Sequence, residues 1–387
     1  MKQEMLEQFA EVFGNHEGVE VFQAPGRVNL IGGHTDYNGG HVLPCAISMG
    51  TYGAVRKRND RKLRFYSVNF AEQGIIESDL DSLVYSKEAG WTNYPKGVIW
   101  AFDQIGLRID CGLDLLIDGR IPENVGMASS TSLEILTCVI LRDLFRFDLS
   151  NKTVAMIAKN AEKRFNGVNT GVLNQVAMAM GRKDQAIFLN ARTEEYEYVP
   201  FVLENEKLVI ACSNKKCGLS HPEYQKRLDE SYAALIDLQK AADVHALCNL
   251  DEEQLEVFKG VIKSPVGFRR ARHAVSENQR VIRACKALKE HKIEELGRLM
   301  NESHISLRDD YEVTGRELDT LVEEAWKVEG VIGSRMTSVG FGGCTVNIVK
   351  NEAVDTFMEQ VGKAYKEKIG YDADFYITEV AQGPRKL

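Results

Sequence analysis

Between Ala24 and Ile47 the chain reads APGRVNLIGGHTDYNGGHVLPCAI, which sets an arginine, a histidine and an aspartate among five glycines. His34, Asp36 and Asn38 alternate along this stretch and can aim several hydrogen-bonding groups into one cleft. Convergent donors and acceptors of this kind bind sugar hydroxyls. The same residues also suit a turn that Asp36 and Asn38 merely stabilise, and spacing alone does not separate the two.

A second stretch suits an anion. In PENVGMASSTSLE, residues 122 to 134, Gly126 and the hydroxyls of Ser129, Ser130, Thr131 and Ser132 precede Leu133, Leu136, Val139 and Ile140, which recur at helical spacing. Unpaired N–H groups and the positive end of a helix dipole can face a phosphate there, and glycine lets the backbone approach closely. An ordinary Ser-capped helix is the plainer alternative. No Gly-Lys-Ser/Thr is present, so the loop is not a Walker A motif. Two further stretches are GVNTGVLNQVAMAMG, residues 167 to 181, and MTSVGFGGCTV, residues 336 to 346. By themselves they read as a helix decorated by Asn174 and as a glycine turn into a strand.

The elements that must hold these residues follow from periodicity. Met5, Leu6, Phe9, Val12 and Phe13 predict an amphipathic helix before a strand near Val19 to Phe22, so that the signature follows a strand. Further strands are predicted at 48–58, 62–68, 113–117, 185–189, 208–212 and 344–349. Helices are predicted near 130–145, 151–164, 171–180, 222–247, 267–289, 314–327 and 352–367. A chain of 387 residues exceeds one compact core and predicts two domains, cut near residue 200 into 1–200 and 201–387.

Composition narrows the partners. A hydrophobic content of 44%, a charged content of 27% and a net charge of −8 suit a soluble globular protein and argue against nucleic-acid or membrane-surface binding. No signal-peptide pattern opens the chain, and a cytoplasmic location is expected. Eight scattered cysteines without a CxxC pair predict reduced, buried thiols rather than a disulfide framework or a zinc site. His273 and His304 have no metal-ligand partner four residues on and read as structural.

The run from Ala24 to Ile47 closely resembles the N-terminal signature of the galactokinases, in the GHMP group of small-molecule kinases. The stretch 122–134 is similar to the family's PxGxGLSSSASLE, 167–181 to its GxxCGIMDQ region, and 336–346 to its MTGAGFGGCTV. The resemblance extends through RRARHAVSENQRV and the segment 297–322, both expected to be framework with long solvated helices. It implies a two-domain α+β GHMP kinase fold with a helix-rich second domain and, in the first, a left-handed βαβ unit that breaks the usual right-handed crossover rule. It also implies ATP and Mg²⁺ as cofactors, a sugar as the small-molecule partner, and a monomer. ATP phosphates are implied at Glu123, Asn124, Val125, Gly126, Met127, Ala128, Ser129 and Ser130, with Mg²⁺ at Ser130 and Glu162. Sugar contacts are implied at Gly33, His34, Thr35, Asp36 and Tyr224, and Arg27 corresponds to the family's transition-state arginine.

Departures from the pattern lie at the ligands. Gly33 stands where the family has a glutamate, and Asn174 where it has the aspartate proposed as general base. Asn124, Ala128, Thr131, Ser338 and Val339 depart as well, the last two adding bulk. Loss of a charged partner at Gly33 costs about 1.5–3 kcal/mol of sugar binding, or leaves a gap for a larger or anionic C6 group. An amide cannot accept a proton at neutral pH, and a general base is worth about 10²–10⁴-fold. The resemblance supplies a precedent, since homoserine kinase is understood to work without such a base. The expected activity is transfer of the ATP γ-phosphate to the C1 hydroxyl of galactose or a related sugar, slowed by these changes. The alternatives are a catalytically inactive sugar- and nucleotide-binding regulator and a kinase for a C6-modified sugar such as galacturonate.

Overall fold

The computed structural model describes residues 1–122, 126–168, 171–215 and 222–387. In chain order these form α1 (Lys2–Phe13), β1 (Glu20–Asn29), β2 (His41–Val42), β3 (Pro44–Lys57), β4 (Lys62–Ser67), β5 (Ile76–Asp79), α2 (Asn93–Gln104), β6 (Leu113–Gly119), α3 (Ser129–Leu144) and α4 (Asn151–Asn160). A π-turn (Ala161–Phe165) follows, then α5 (Leu173–Ala179), β7 (Gln185–Asn190), β8 (Tyr196–Pro200) and β9 (Glu206–Cys212). Next come α6 (Pro222–Gln239), α7 (Glu252–Val257), α8 (Pro265–Lys289), α9 (Ile293–Ser306) and α10 (Arg316–Ala325). The chain closes with β10 (Val331–Met336), β11 (Cys344–Lys350), α11 (Val354–Ile369), β12 (Asp374–Thr378) and β13 (Arg385–Lys386).

Three sheets organise these elements. The first has the order β13-β1-β3-β6-β4-β5, the second β10-β11-β9-β12, and the third β2-β7-β8. β4 and β6 run parallel, joined by a crossover that carries β5 and α2. α3, buried along most of its length, packs on β1 and β3 through a core that includes Leu136, Val139 and Ile140. Mixed sheets with segregated helices make this an α+β fold.

Four expectations are corrected. The signature does not follow a strand. β1 runs on to Asn29, because a bulge at Pro25/Gly26 absorbs the two residues that look like strand breakers. The bulge brings Gly50 so close that a Cβ there would meet Ala24 O at 2.2 Å. The cysteines are not all reduced. β9 and β11 pair Cys212 opposite Cys344, with Cα atoms 4.1 Å apart, and the two form a disulfide. Cys45, Cys111, Cys138, Cys248 and Cys285 are free, and Cys217 lies outside the described residues. The long helices of the second half are not simply solvated, since α8 buries Arg270, His273, Glu277, Asn278 and Arg280. The helix expected over 222–247 stops at Gln239.

Candidate functional site

Arg27 lies on β1, and Asn174 is the second residue of α5. The Arg27 Nε donates to Asn174 Oδ1 at 2.8 Å, and Nη2 donates to Gly126 O at 3.4 Å. Val172, not Asn174, occupies the N-cap of α5, so Asn174 is neither a cap nor a surface decoration. The amide orients the guanidinium, and both residues line one cavity.

That cavity, about 270 Å³ in volume, brings the separate motifs together. Asp36, His34, Gly33 and Tyr224 line one part, and Gly126, Ala128, Ser130 and Glu162 another. A Cβ on Gly171 would stand 3.2 Å from Asp36 Oδ2, which sets the α5 entry against the sugar loop. Asp36 is half-buried, and its partial removal from solvent raises its pKa. Ser338 and Val339 also face the cavity, Ser338 with a left-handed φ of 72° that glycine adopts more readily.

The sugar loop is fixed from α8. Glu277 Oε1 accepts from Gly32 N at 2.9 Å and Gly33 N at 3.1 Å, while His273 Nε2 bonds Gly33 O at 2.9 Å. Burial opposes the Glu277 charge, but Arg280 and Arg335 outweigh it and hold the pKa down at about 2. Arg335 stays charged even though burial lowers it to about 10, and it donates to Asn29 O, Leu30 O and Ser303 Oγ. Both His273 and His304 are structural: His304 bonds Asp319 Oδ1 and the Met336 N–H. Among the described residues no group of three or more His, Cys, Asp or Glu could hold a metal ion.

Two sugar-site expectations change. Thr35 is fully buried and does not line the cavity, because its hydroxyl serves Gly32 O and His41 O within the loop. Nor does Gly33 leave a gap, since a Cβ there would meet Arg335 Nη2 at 2.7 Å and the Leu307 methyls at 3.3 and 3.4 Å. His34 is held by a chain of hydroxyls: Nδ1 bonds Tyr37 OH, which bonds Tyr311 OH, which bonds Ser231 Oγ, each at 2.8 Å. Its Nε2, turned toward the Val339 backbone, is left without a hydrogen bond of normal geometry. Burial, with the charges of His273 and Arg335, pushes its pKa down to about 3, so the ring is neutral. Tyr224 packs beside His34 and Tyr37.

On the phosphate side, Gly126 and Ala128 take left-handed backbone, and α3 begins at Ser129 without a side-chain cap. The Ser-capped alternative is therefore wrong, and the first turn of α3, without a side-chain cap, contributes Ser130 and Thr131 to the cavity lining. Met127 turns its side chain into the core instead. Glu123, Asn124 and Val125 lie outside the described residues. Glu162, in the π-turn, accepts from Gln175 Nε2 at 2.7 Å. Hydroxyl and carboxylate oxygens at Ser130 and Glu162 fit a hard cation such as Mg²⁺.

A second cavity of about 340 Å³ shares Gly126, Ala128 and Ser130 with the first, adds Ser129, and is lined by Phe70, Trp91, Tyr94 and Asn69. An aromatic slot with one amide suits a planar heterocycle. It sits on short irregular segments that carry no periodicity, which is why no sequence pattern exposes it.

Comparison with known proteins agrees. Residues 7–57 match the galactokinase galactose-binding signature, 93–182 the GHMP kinases N-terminal domain, and 284–367 the GHMP kinases C-terminal region. The galactokinase of Bacillus subtilis (strain 168) is 49% identical over 100% of this chain and 99% of its own. That of Clostridium acetobutylicum is 50% identical over 98% of each. The crystal structure of Lactococcus lactis galactokinase complexed with galactose superposes with a TM-score of 0.94 at 43% identity, covering 100% of this chain and 99% of that one. Methanococcus jannaschii mevalonate kinase, at 16% identity, 94% and 98% coverage and a TM-score of 0.68, shares the fold.

Two predictions follow from the α8 grip. Buried His34 and His273 titrate at about 3 and about 4 in the folded chain against 6.5 when exposed, so below pH 6.5 the unfolded chain binds more protons. Thermal melts should therefore show stability falling as pH drops from 6.5 toward 4, with Glu277 adding a further loss from 4.5 toward 2. An unchanged melting temperature across this range would contradict the neutral buried rings. Gly33→Ala should destabilise by about 1–3 kcal/mol in urea unfolding, because the new methyl overlaps a guanidinium held by three bonds.

Proposed function

Because the chain belongs to the galactokinase family of GHMP kinases, we propose that it is an ATP-dependent sugar kinase acting on the C1 hydroxyl of galactose or a closely related sugar. One observation carries the reading. Arg27 touches Gly126 on the phosphate side and Asn174 on the other, and Gly171, just before Asn174, abuts Asp36 of the sugar loop. A cation thus stands where a phosphoryl group arriving over the N-terminus of α3 meets a hydroxyl held by Asp36. The aromatic slot at Trp91 and Tyr94 receives the adenine.

In the reaction the C1 oxygen bonds to the γ-phosphorus, the bond to the β–γ bridging oxygen breaks, and ADP leaves with its electron pair. The hydroxyl proton passes to an oxygen of the transferred group or to water, because the Asn174 amide does not take it. A loose transition state leaves little charge on the attacking oxygen, so positioning and charge neutralisation supply most of the acceleration. Arg27 and the N–H groups of the first turn of α3 serve that purpose. Ser130 and Glu162 would hold Mg²⁺, which neutralises phosphate charge when bound.

The neutral side chain at Asn174 also favours a second reading, a catalytically silent protein that binds sugar and nucleotide. ADP release measured across a panel of hexoses and hexuronates separates the two. Slow turnover with galactose is expected. No ADP above background with any sugar, while calorimetry still detects ATP binding, overturns the kinase reading. Asn174→Asp should raise kcat by about 10²-fold or more with little change in the sugar KM, since the new carboxylate already faces Arg27 and supplies a base. An active protein whose kcat does not rise in this variant places the proton acceptor elsewhere.

A further inference from the structure

His34 lines the sugar cavity, and its two ring nitrogens stand in different surroundings. Nδ1 lies 2.8 Å from Tyr37 OH, whereas Nε2 is buried and has no hydrogen bond of normal geometry. Which nitrogen carries the proton decides what a ligand meets there, and the bond made by one nitrogen sets the state of the other. An Nε2–H donates to a sugar oxygen, and a bare Nε2 accepts from a sugar hydroxyl.

The hydroxyls behind Nδ1 distinguish the two states. Tyr37, in the turn Asp36–Asn38, reaches Tyr311 OH at 2.8 Å, and Tyr311, the last residue of a π-turn (Leu307–Tyr311), reaches Ser231 Oγ on α6 at the same distance. Both Tyr311 and Ser231 are buried, and Tyr311 OH is the one partner of the Ser231 hydroxyl among the described residues. With every proton directed toward Ser231, that residue's own hydrogen would be buried without an acceptor, which is costly. In the opposite direction Ser231 donates to Tyr311, Tyr311 to Tyr37, and Tyr37 to His34 Nδ1. Each hydroxyl hydrogen then has an acceptor, and the ring proton falls to Nε2.

The other side of the ring agrees. Nε2 is turned toward the Val339 backbone, which raises the pKa of the ring, as a carbonyl oxygen does and an N–H does not. An N–H there faces an acceptor, whereas a lone pair would face another lone pair. Backbone geometry keeps the ring in this place: His34 takes a left-handed φ of 61°, uncommon outside glycine, and Asn38 Nδ2 donates to its carbonyl at 2.8 Å.

We propose that Ser231, Tyr311 and Tyr37 form a positioning relay that holds His34 as its Nε2–H tautomer, so that His34 donates to a sugar oxygen while Asp36, two residues on, accepts from a sugar hydroxyl. The two side chains offer opposite roles to a polyol from one loop. The identity of the ligand rests on the sugar-kinase reading; the tautomer does not. Long-range ¹H–¹⁵N NMR of the full chain, labelled at histidine and free of sugar, reads the tautomer directly, with His34→Gln identifying the His34 signals. The Nε2–H form is expected near neutral pH. Tyr37→Phe, which keeps the ring and removes the donor, should move the His34 shifts toward the Nδ1–H form and weaken galactose binding about three- to tenfold by calorimetry, with ATP affinity unchanged. Tyr311→Phe should move the shifts in the same direction by less. Ser231→Ala, at the far end of the relay, carries the same test if Tyr37→Phe does not fold. An Nδ1–H tautomer in the unsubstituted chain overturns the proposal, as does a lowered melting temperature in these variants with unmoved ring shifts. Because the tautomer is read without sugar, it decides the relay even where calorimetry finds no galactose binding and the sugar-kinase reading fails.

Discussion

The structure turns on one buried carboxylate. Glu277 reaches from α8 to the N–H groups of Gly32 and Gly33, takes the Ser303 hydroxyl as a third donor, and pairs with Arg280. A buried anion is tolerated only when its hydrogen bonds and countercharges are complete, and here they are. The consequence reaches the cavity. With its backbone held by Glu277 and His273, the glycine loop needs no side chain of its own to keep shape, and His34 and Asp36 can be spent on a ligand. Arg335 then fills the space beside Gly33, so the missing side chain reads as a repacked wall rather than an opening.

The same logic separates the two prominent departures from the galactokinase pattern. Gly33 changes what the wall is made of, and Asn174 changes only the charge of a contact that remains in place at 2.8 Å. An ion pair would hold Arg27 against its partner. The amide makes a hydrogen bond where a carboxylate would make an ion pair.

Much of this was legible in the sequence, and the rest was not for identifiable reasons. Small residues ahead of Leu133, Leu136 and Val139 announced the phosphate turn, because glycines and hydroxyls before an apolar helix leave a local imprint. β1 was cut short because Pro25 and Gly26 mimic a strand end that a bulge in fact accommodates. α2 was missed because Pro95 and Gly97 lie inside it, Gly97 to make room for the Phe165 ring. Thr35 looked like a ligand because its neighbours His34 and Asp36 line the cavity, yet its hydroxyl closes the loop on itself. Glu277, His273 and Arg335 carry no local signal at all. Their work is done across more than two hundred residues of sequence, and only the tertiary fold reveals which buried charge meets which.

The pairing of β13 with β1 has a consequence for how this chain is made. Phe22 and Gln23 take Lys386 and Arg385 as neighbours, Val380 bridges to Ile47, and the Leu387 N–H bonds Val21 O. During synthesis, β1 leaves the ribosome long before residues 380–387 exist, and its outer edge stays open through that interval. Loop-closure entropy over so long a separation makes this contact a late one. The edge strand that carries Arg27 is therefore sealed among the last events of folding, after the cavity it serves has begun to take shape.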